Sequence, residues 1–204
     1  MDKPARVTLA ITGASGSAYA LRLLQCLAQQ SVSVDLLVSE AAREVMRLEM
    51  DLMLPDDAQL AVFLSKHLNI DEGHVRVWSR QQWTSPVASG SSAAGPMVIC
   101  PCSTGTLSAI ACGASNSLIE RAADVSIKER RPLILVPRET PLSAIHLENM
   151  LKLSRLGVTV LPAMPGFYHH PQSVADMVDF IVARILSCLG VPQTLLKPWG
   201  GDTP

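Results

Sequence analysis

The sequence is short of charge and of aromatic rings. Only 17% of its 204 residues are charged and 4% are Phe, Trp or Tyr. Its 17 basic and 18 acidic side chains leave a formal net charge of −1. No overall field therefore draws it to nucleic acid or to an anionic membrane, and an anion site has to be built locally. No apolar run is long enough to span a bilayer. The run that ends near Ile11 is too short for a secretory core and is broken by Gly13, so a cytoplasmic location is expected. The five cysteines, at 26, 100, 102, 112 and 188, are odd in number and follow no disulfide framework. Cys100 and Cys102 have no second close pair, which argues against zinc. The GxGxxG and GxxxxGK[ST] signatures are both absent, so neither usual nucleotide loop is present.

Apolar material is plentiful. Hydrophobic residues make up 48% of the chain and the mean hydropathy is +0.26. That supports one sizeable domain spanning 1–204, with a C-terminal tail from about 190. It also implies apolar surface covered from outside, by another subunit or around a cofactor. The pattern reads as strands at 7–11, 32–38, 75–78, 97–100, 133–136 and 158–161. Helices are expected at 18–29, 40–49, 58–68, 104–112, 118–128, 144–156 and 173–189. Uniformly apolar strands alternating with helices predict an α/β fold: a three-layer α/β/α, Rossmann-like, doubly wound parallel sheet. Residues 84–96, rich in Ser, Ala, Gly and Pro, read equally as a linker or as a mobile lid.

Ligands of such sheets lie beyond the carboxyl ends of the strands. That rule selects Gly13-Ala-Ser-Gly-Ser17, Ser39, Pro101-Cys-Ser-Thr-Gly-Thr106, Arg138-Glu139 and the stretch 165–170. The GxxG turn and the helix after it offer backbone amides to an anion, although an ordinary strand–helix turn looks the same. Ser103, Thr104 and Thr106 form either a plain N-cap or a phosphate cradle. Cys102 lacks a nearby histidine and reads as a spectator. Arg121 and Lys128 share a helix face, and Arg138 follows a strand at the ligand edge. Arginine forks and lysine point charges both suit phosphate. Glu49 and Glu139 are candidate acids; a partly buried Glu49 near phosphate would have a raised pKa, and the plainer reading is a salt-bridged surface residue. His169 and His170 have no spaced partners for a metal. Trp199, in a Pro/Gly-rich tail, suggests docking.

Taken in order, five stretches resemble the flavin prenyltransferases, which make the prenylated FMN of a partner decarboxylase. They are Ala10-Ile-Thr-Gly-Ala-Ser-Gly-Ser17, Cys100-Pro-Cys-Ser-Thr-Gly-Thr-Leu107, the stretch from Asn116 to Arg131, the stretch from Pro132 to Leu142, and Pro162-Ala-Met-Pro-Gly-Phe-Tyr-His-His-Pro-Gln172. The resemblance implies FMN held between subunits of a homo-oligomer whose usual form is a dodecamer. Ser15 would lie at the flavin N5 edge with Gly13 and Ala14 close by. Ser39, Ser103, Thr104 and Arg138 would hold the flavin and its phosphate. The donor would be dimethylallyl monophosphate, gripped by Lys128, Tyr168 and Arg184, with Arg121 from a neighbouring chain. Ser89 and Gly90 would lie in a mobile loop near the substrates, and Trp199 would help close the pocket. Ser15, Glu49, Lys128, Glu139 and Tyr168 would carry the chemistry, which joins the dimethylallyl group to N5 and then C6 of reduced FMN without a metal. The product would pass to a UbiD-like decarboxylase, as in ubiquinone biosynthesis. Two other readings remain: an FMN-dependent cysteine decarboxylase-like flavoprotein, or an inactive flavin-binding subunit. The first would need an early catalytic histidine, whereas the earliest here is His67.

Overall fold

The computed structural model describes residues 3–92 and 94–197. Six strands form where the apolar runs fall: β1 (Arg6–Ile11), β2 (Ser33–Val38), β3 (Val75–Val77), β4 (Met97–Cys102), β5 (Leu133–Pro137) and β6 (Thr159–Val160). All neighbours pair in parallel, in the order β3-β2-β1-β4-β5-β6. The helices are α1 (Ser17–Gln29), α2 (Glu40–Met50), α3 (Asp57–Leu68), α4 (Thr104–Ala111), α5 (Leu118–Lys128), α6 (Ala144–Arg155) and α7 (Val174–Cys188). This is the expected three-layer, doubly wound arrangement. β4 runs two residues beyond the expected strand, through the cis Cys100–Pro101 bond. β6 is shorter than expected, because an edge strand paired only with β5 has little to hold it.

Successive strand residues point to opposite faces, so each strand feeds two cores. Val7, Leu9 and Ile11 belong to one buried cluster with Leu24 of α1 and Ile185 of α7. Ala10, Met97 and Ile99 belong to the other, with Leu107 of α4 and Leu118 of α5. Arg22 of α1 forks onto Asp179 of α7 at 2.7 and 3.1 Å. Both partners are partly exposed, so that pair contributes at most about 1 kcal/mol. Burying one leucine or isoleucine is worth about 2 kcal/mol, so apolar packing rather than the ion pair holds α7 on α1.

The connections dictate direction. In a parallel sheet each crossover helix starts at the carboxyl edge and ends at the amino edge. The eleven residues of α5 therefore carry the chain about 16 Å away from the ligand edge by the time they reach Lys128. At the opposite end of the geometry, the β1–α1 turn comes so close to α2 that a Cβ on Gly13 would lie 2.4 Å from Ala41 Cβ. We expect Gly13→Ala to lower unfolding free energy by about 1–3 kcal/mol through overpacking. Denaturant titration should show most of that loss recovered in the Gly13→Ala/Ala41→Gly double variant.

Candidate functional site

β1 and β4 are neighbours, and the chain leaves their carboxyl ends in opposite directions, which opens a crevice at the switch point. Thr12 fastens its two walls together. Its Oγ1 donates to the Pro101 carbonyl at 2.8 Å and accepts from the Ser103 amide at 2.8 Å. Beside it lies a cleft of about 420 Å³ whose lining includes Gly13, Ser39, Ser103, Thr106, Ser117 and Arg80. The hydroxyls can be accounted for one by one. Ser39 and Ser117 accept from the Ala42 and Glu120 amides as helix caps, which leaves each O–H free to donate. Ser103 accepts from the Thr106 amide and donates to Thr106 Oγ1 at 3.0 Å, which leaves the Thr106 O–H free. Spare donors, a guanidinium and a glycine-bordered wall suit a phosphate ester such as that of FMN. Thr104, half-buried, opens α4 between the lining residues Ser103 and Gly105 and is not itself part of the lining.

The GxxG turn itself is filled from within the chain. α1 starts after Gly16, which has no side chain to cap it. Glu49 of α2 takes that place, accepting from the Gly16 amide at 3.1 Å and the Ser17 amide at 3.1 Å. The expectation that these amides await a ligand anion, and that Glu49 has a raised pKa, is therefore corrected. Burial pushes Glu49 up, but the Ser15 side chain, the Gly16 and Ser17 amides and the Ser17 side chain outweigh it and hold the carboxyl below its usual range. Nor is Glu49 a salt-bridged surface residue: its partners are amides and hydroxyls. Arg138 closes the corner, its Nε donating to the Ser15 carbonyl at 3.3 Å. Tyr19 lies against the same corner; burial raises its pKa, with Cys100 and Glu49 adding to the effect and Arg138 opposing it. Ala14 is buried beneath the turn. Glu139 is turned onto its own backbone, accepting from the Thr140 amide at 3.0 Å.

A second group gathers on α5. Arg121 Nε donates to the Ala88 carbonyl at 3.1 Å, and Arg131 donates to the Gly90 and Ser92 carbonyls, both at 2.7 Å. Ser85, Val87 and Ala88 are buried, so residues 85–92 are docked rather than a free linker. Gly90 passes so close to α5 that a Cβ there would lie 2.0 Å from Glu129 Oε1 and 2.8 Å from Lys128 Nζ. Lys128 pairs with Glu129 at 2.5 Å, an exposed, water-screened pair that a phosphate can displace. The structure thus brings Ser89, Gly90, Arg121 and Lys128 together. Within one chain, however, Lys128 is not at the carboxyl edge, where ligands of such sheets lie. It ends α5 at the other side of the sheet, beside Ile127 and Arg130, which line an amino-edge cleft with the start of β5.

Tyr168 belongs to a third group. Its ring packs on His169 at 4.1 Å and edge-on to Phe180 at 5.7 Å. Arg184 stands one turn beyond Phe180 on the same side of α7. α7 and α5 cover opposite faces of the sheet, so Arg184 and Lys128 do not meet in one chain. Among the described residues no group of three His, Cys, Asp or Glu is placed to hold a metal. Cys102 is buried with its thiol pushed up to about 12 by burial, which fits a spectator. Trp199 lies outside the described residues. Sequence reasoning missed Arg80 and Ser117. Arg80 had no motif around it, and Ser117 was legible only as a helix cap.

A family model described as Flavoprotein matches residues 1–186. The chain is 61% identical over 201 residues to the flavin prenyltransferase UbiX of Pseudomonas aeruginosa, covering 98% of this chain and 96% of that protein. Among solved structures, AnUbiX in complex with FMN and dimethylallyl pyrophosphate matches with a TM-score of 0.86 at 36% identity, over 99% of this chain and 100% of that one. A dodecameric FMN-dependent UbiX-like decarboxylase from Escherichia coli O157:H7 matches with a TM-score of 0.80 at 38% identity, over 91% and 95% of the two chains.

The charge on Glu49 should be measurable as stability. At neutral pH, Glu49→Gln is expected to lower unfolding free energy by about 1 kcal/mol, since a neutral amide is a poorer partner for a helix N-terminus. The folded-state pKa is depressed, so the wild-type advantage is present above the unfolded carboxyl's pKa of about 4.3 and is lost as pH falls through the folded value. Paired urea titrations from pH 7 down to pH 3 should show the two proteins converging.

Proposed function

The chain belongs to the flavin prenyltransferase family, and from that premise we propose how its residues divide the work of this flavin prenyltransferase. The observation that carries the reading is the switch-point crevice, where a hydroxyl-lined cleft lies beside the corner formed by Ser15, Glu49 and Arg138. The cleft takes the FMN phosphate, with Ser39, Ser103, Thr104 and Thr106 around it. Gly13, Ala14 and Ser15 lie along the ring, and Arg138 stands at its far side. Reduced FMN supplies nucleophilic carbon and nitrogen centres, C6 and N5, for the dimethylallyl group. Glu49, held ionised, orients the Ser15 hydroxyl and fixes the turn. Glu139 exchanges protons with the phosphate that the donor releases.

The donor is dimethylallyl monophosphate. Lys128 and Arg184 meet the charge that grows on its departing phosphate, with Tyr168 donating a hydrogen bond and Arg121 a further contact. A dry pocket keeps water from the allylic carbon. Because α5 and α7 cover opposite faces, one donor can be gripped by both only where two chains meet. Exposed Leu48, Met53, Ile145, Met164, Phe167 and Val174 support such association. We therefore assign the working form to a homo-oligomer, a dodecamer by analogy with the UbiX-like neighbour, acting as one flavin-binding unit per chain with a tail from about 190. Ser89 and Gly90 present the loop beside Lys128. No described helix is long and apolar enough to cross a membrane, in keeping with a cytoplasmic enzyme that hands prenylated FMN to a UbiD-like decarboxylase.

The cysteine-decarboxylase reading finds no support at the crevice. His67 sits near the end of α3, its ring stacked on Phe63 at 6.0 Å. Incubation with reduced FMN and dimethylallyl monophosphate under anaerobic conditions should give a flavin heavier by one five-carbon unit, and mass-spectrometric detection of unaltered flavin would favour an inactive binding subunit. Running dimethylallyl pyrophosphate in parallel fixes the donor. Lys128→Ala is expected to raise KM for the donor by roughly tenfold or more, while FMN affinity stays within about twofold. Equal losses in both would remove Lys128 from its assigned place.

A further inference from the structure

We propose that Arg80 is the cation that recognises the FMN phosphate, a role that rests on the cleft being the phosphate site. The argument begins with charge. A phosphate monoester carries close to two negative charges at neutral pH. The cleft that would receive it is also lined by two carboxylates, Glu40 and Glu120. Glu120 is partly occupied, accepting from the Asn116 amide at 2.6 Å. Hydroxyl donors alone would leave a dianion facing these two acids. Among the described residues that line the cleft, Arg80 is the one cation. Arg138 does not line this cleft; its Nε donates to the Ser15 carbonyl elsewhere in the crevice.

The position of Arg80 is fixed without use of its side chain. It follows β3, and its carbonyl accepts from the Leu118 amide at 2.9 Å. That bond anchors the residue to the first turn of α5, next to the Ser117 cap that lines the same cleft. The ion pairs of the described residues engage Arg6, Arg22, Arg43, Arg47, Arg121 and Lys128, and none takes up the Arg80 guanidinium. A planar fork on a fixed backbone, lining one cleft with the free O–H groups of Ser39, Thr106 and Ser117, makes a phosphate-selective set. Riboflavin, which has the same ring and no phosphate, gains nothing from it.

The test compares FMN with riboflavin binding to flavin-depleted full-length protein, followed by flavin fluorescence. The wild type should prefer FMN. Arg80→Gln should weaken FMN by at least about tenfold, the scale of a lost charged hydrogen bond, and leave riboflavin unchanged. Arg80→Lys should retain part of the preference. Unchanged riboflavin affinity also reports that the variant is folded. A Ser103→Ala/Thr106→Val variant separates the two layers of the argument. If it loses the FMN preference while Arg80→Gln keeps it, the cleft stands and the role of Arg80 falls. If the wild type binds both flavins alike, the cleft itself is not the phosphate site and the proposal falls with it. Equal weakening of both flavins in Arg80→Gln would mark a merely structural arginine and overturn the proposal.

Discussion

The direction of a parallel sheet governs everything else in this protein. With every strand pointing the same way, each crossover helix must begin at the carboxyl edge and finish at the opposite one. Capping hydroxyls, free amides and short turns therefore collect at one edge, where Ser39, Ser103 and Ser117 cap α2, α4 and α5. The last turns of α5 and α7 are carried away from it. A chain of net charge −1 can still build an anion site under this rule, because the ligand edge gathers hydrogen-bond donors without needing many cations.

The same rule explains why the β1–α1 turn is occupied by Glu49. A helix start with no capping side chain, set in a crevice, leaves amides that must be satisfied. Glu49 satisfies them permanently, which frees Ser15 to be positioned by Glu49 and Arg138 instead of serving as a cap. The cost of holding a carboxylate there is offset by the amide and hydroxyl bonds that lower its pKa. In the proposed arrangement the phosphate therefore takes the neighbouring cleft instead of the most obvious glycine turn. The two ends of the crevice are chemically distinct: one carries a fixed negative charge beside Arg138, and the other carries spare O–H groups beside Arg80.

Most of the fold was legible in the sequence because apolar periodicity and capping residues are local signals. Ser39, Ser103, Ser117, Ser143 and Ser173 all cap helices within a residue or two of the expected starts. β4 and β5 stood out because strands buried on both faces have no polar interruption. What pattern could not give was pairing across long separations. The Glu49 cap joins residues 33 apart, and the Arg131 strap joins residues about 40 apart. Arg80 gains its place only because the chain after β3 returns to the start of α5. The five family stretches supplied residues for the site, but spacing along a sequence does not reveal which edge of a sheet a helix end reaches. Lys128 shows this plainly: the helix expected over 118–128 forms, and only the fold reveals that its last residue reaches the edge opposite the ligand crevice.

The split of the donor-binding residues and the exposed apolar side chains have one physical explanation. Ile145, Leu151 and Leu156 are exposed on and just beyond α6, and Phe167 and Val174 are exposed on the approach to and at the start of α7. A soluble chain leaves such groups in water only at a cost of about 25 cal/mol per Å² of apolar surface, so association that covers them is favoured. The donor-binding residues proposed on α5 and those at Tyr168 and Arg184 are separated in one chain, since α5 and α7 cover opposite faces of the sheet. In the proposed oligomer, association does two things at once: it removes the apolar surface from water and brings basic groups from two chains to one donor phosphate. Under this reading, the shortage of charge noticed first in the sequence follows from the assembly. Surface that is destined for burial between subunits has little room for charged side chains.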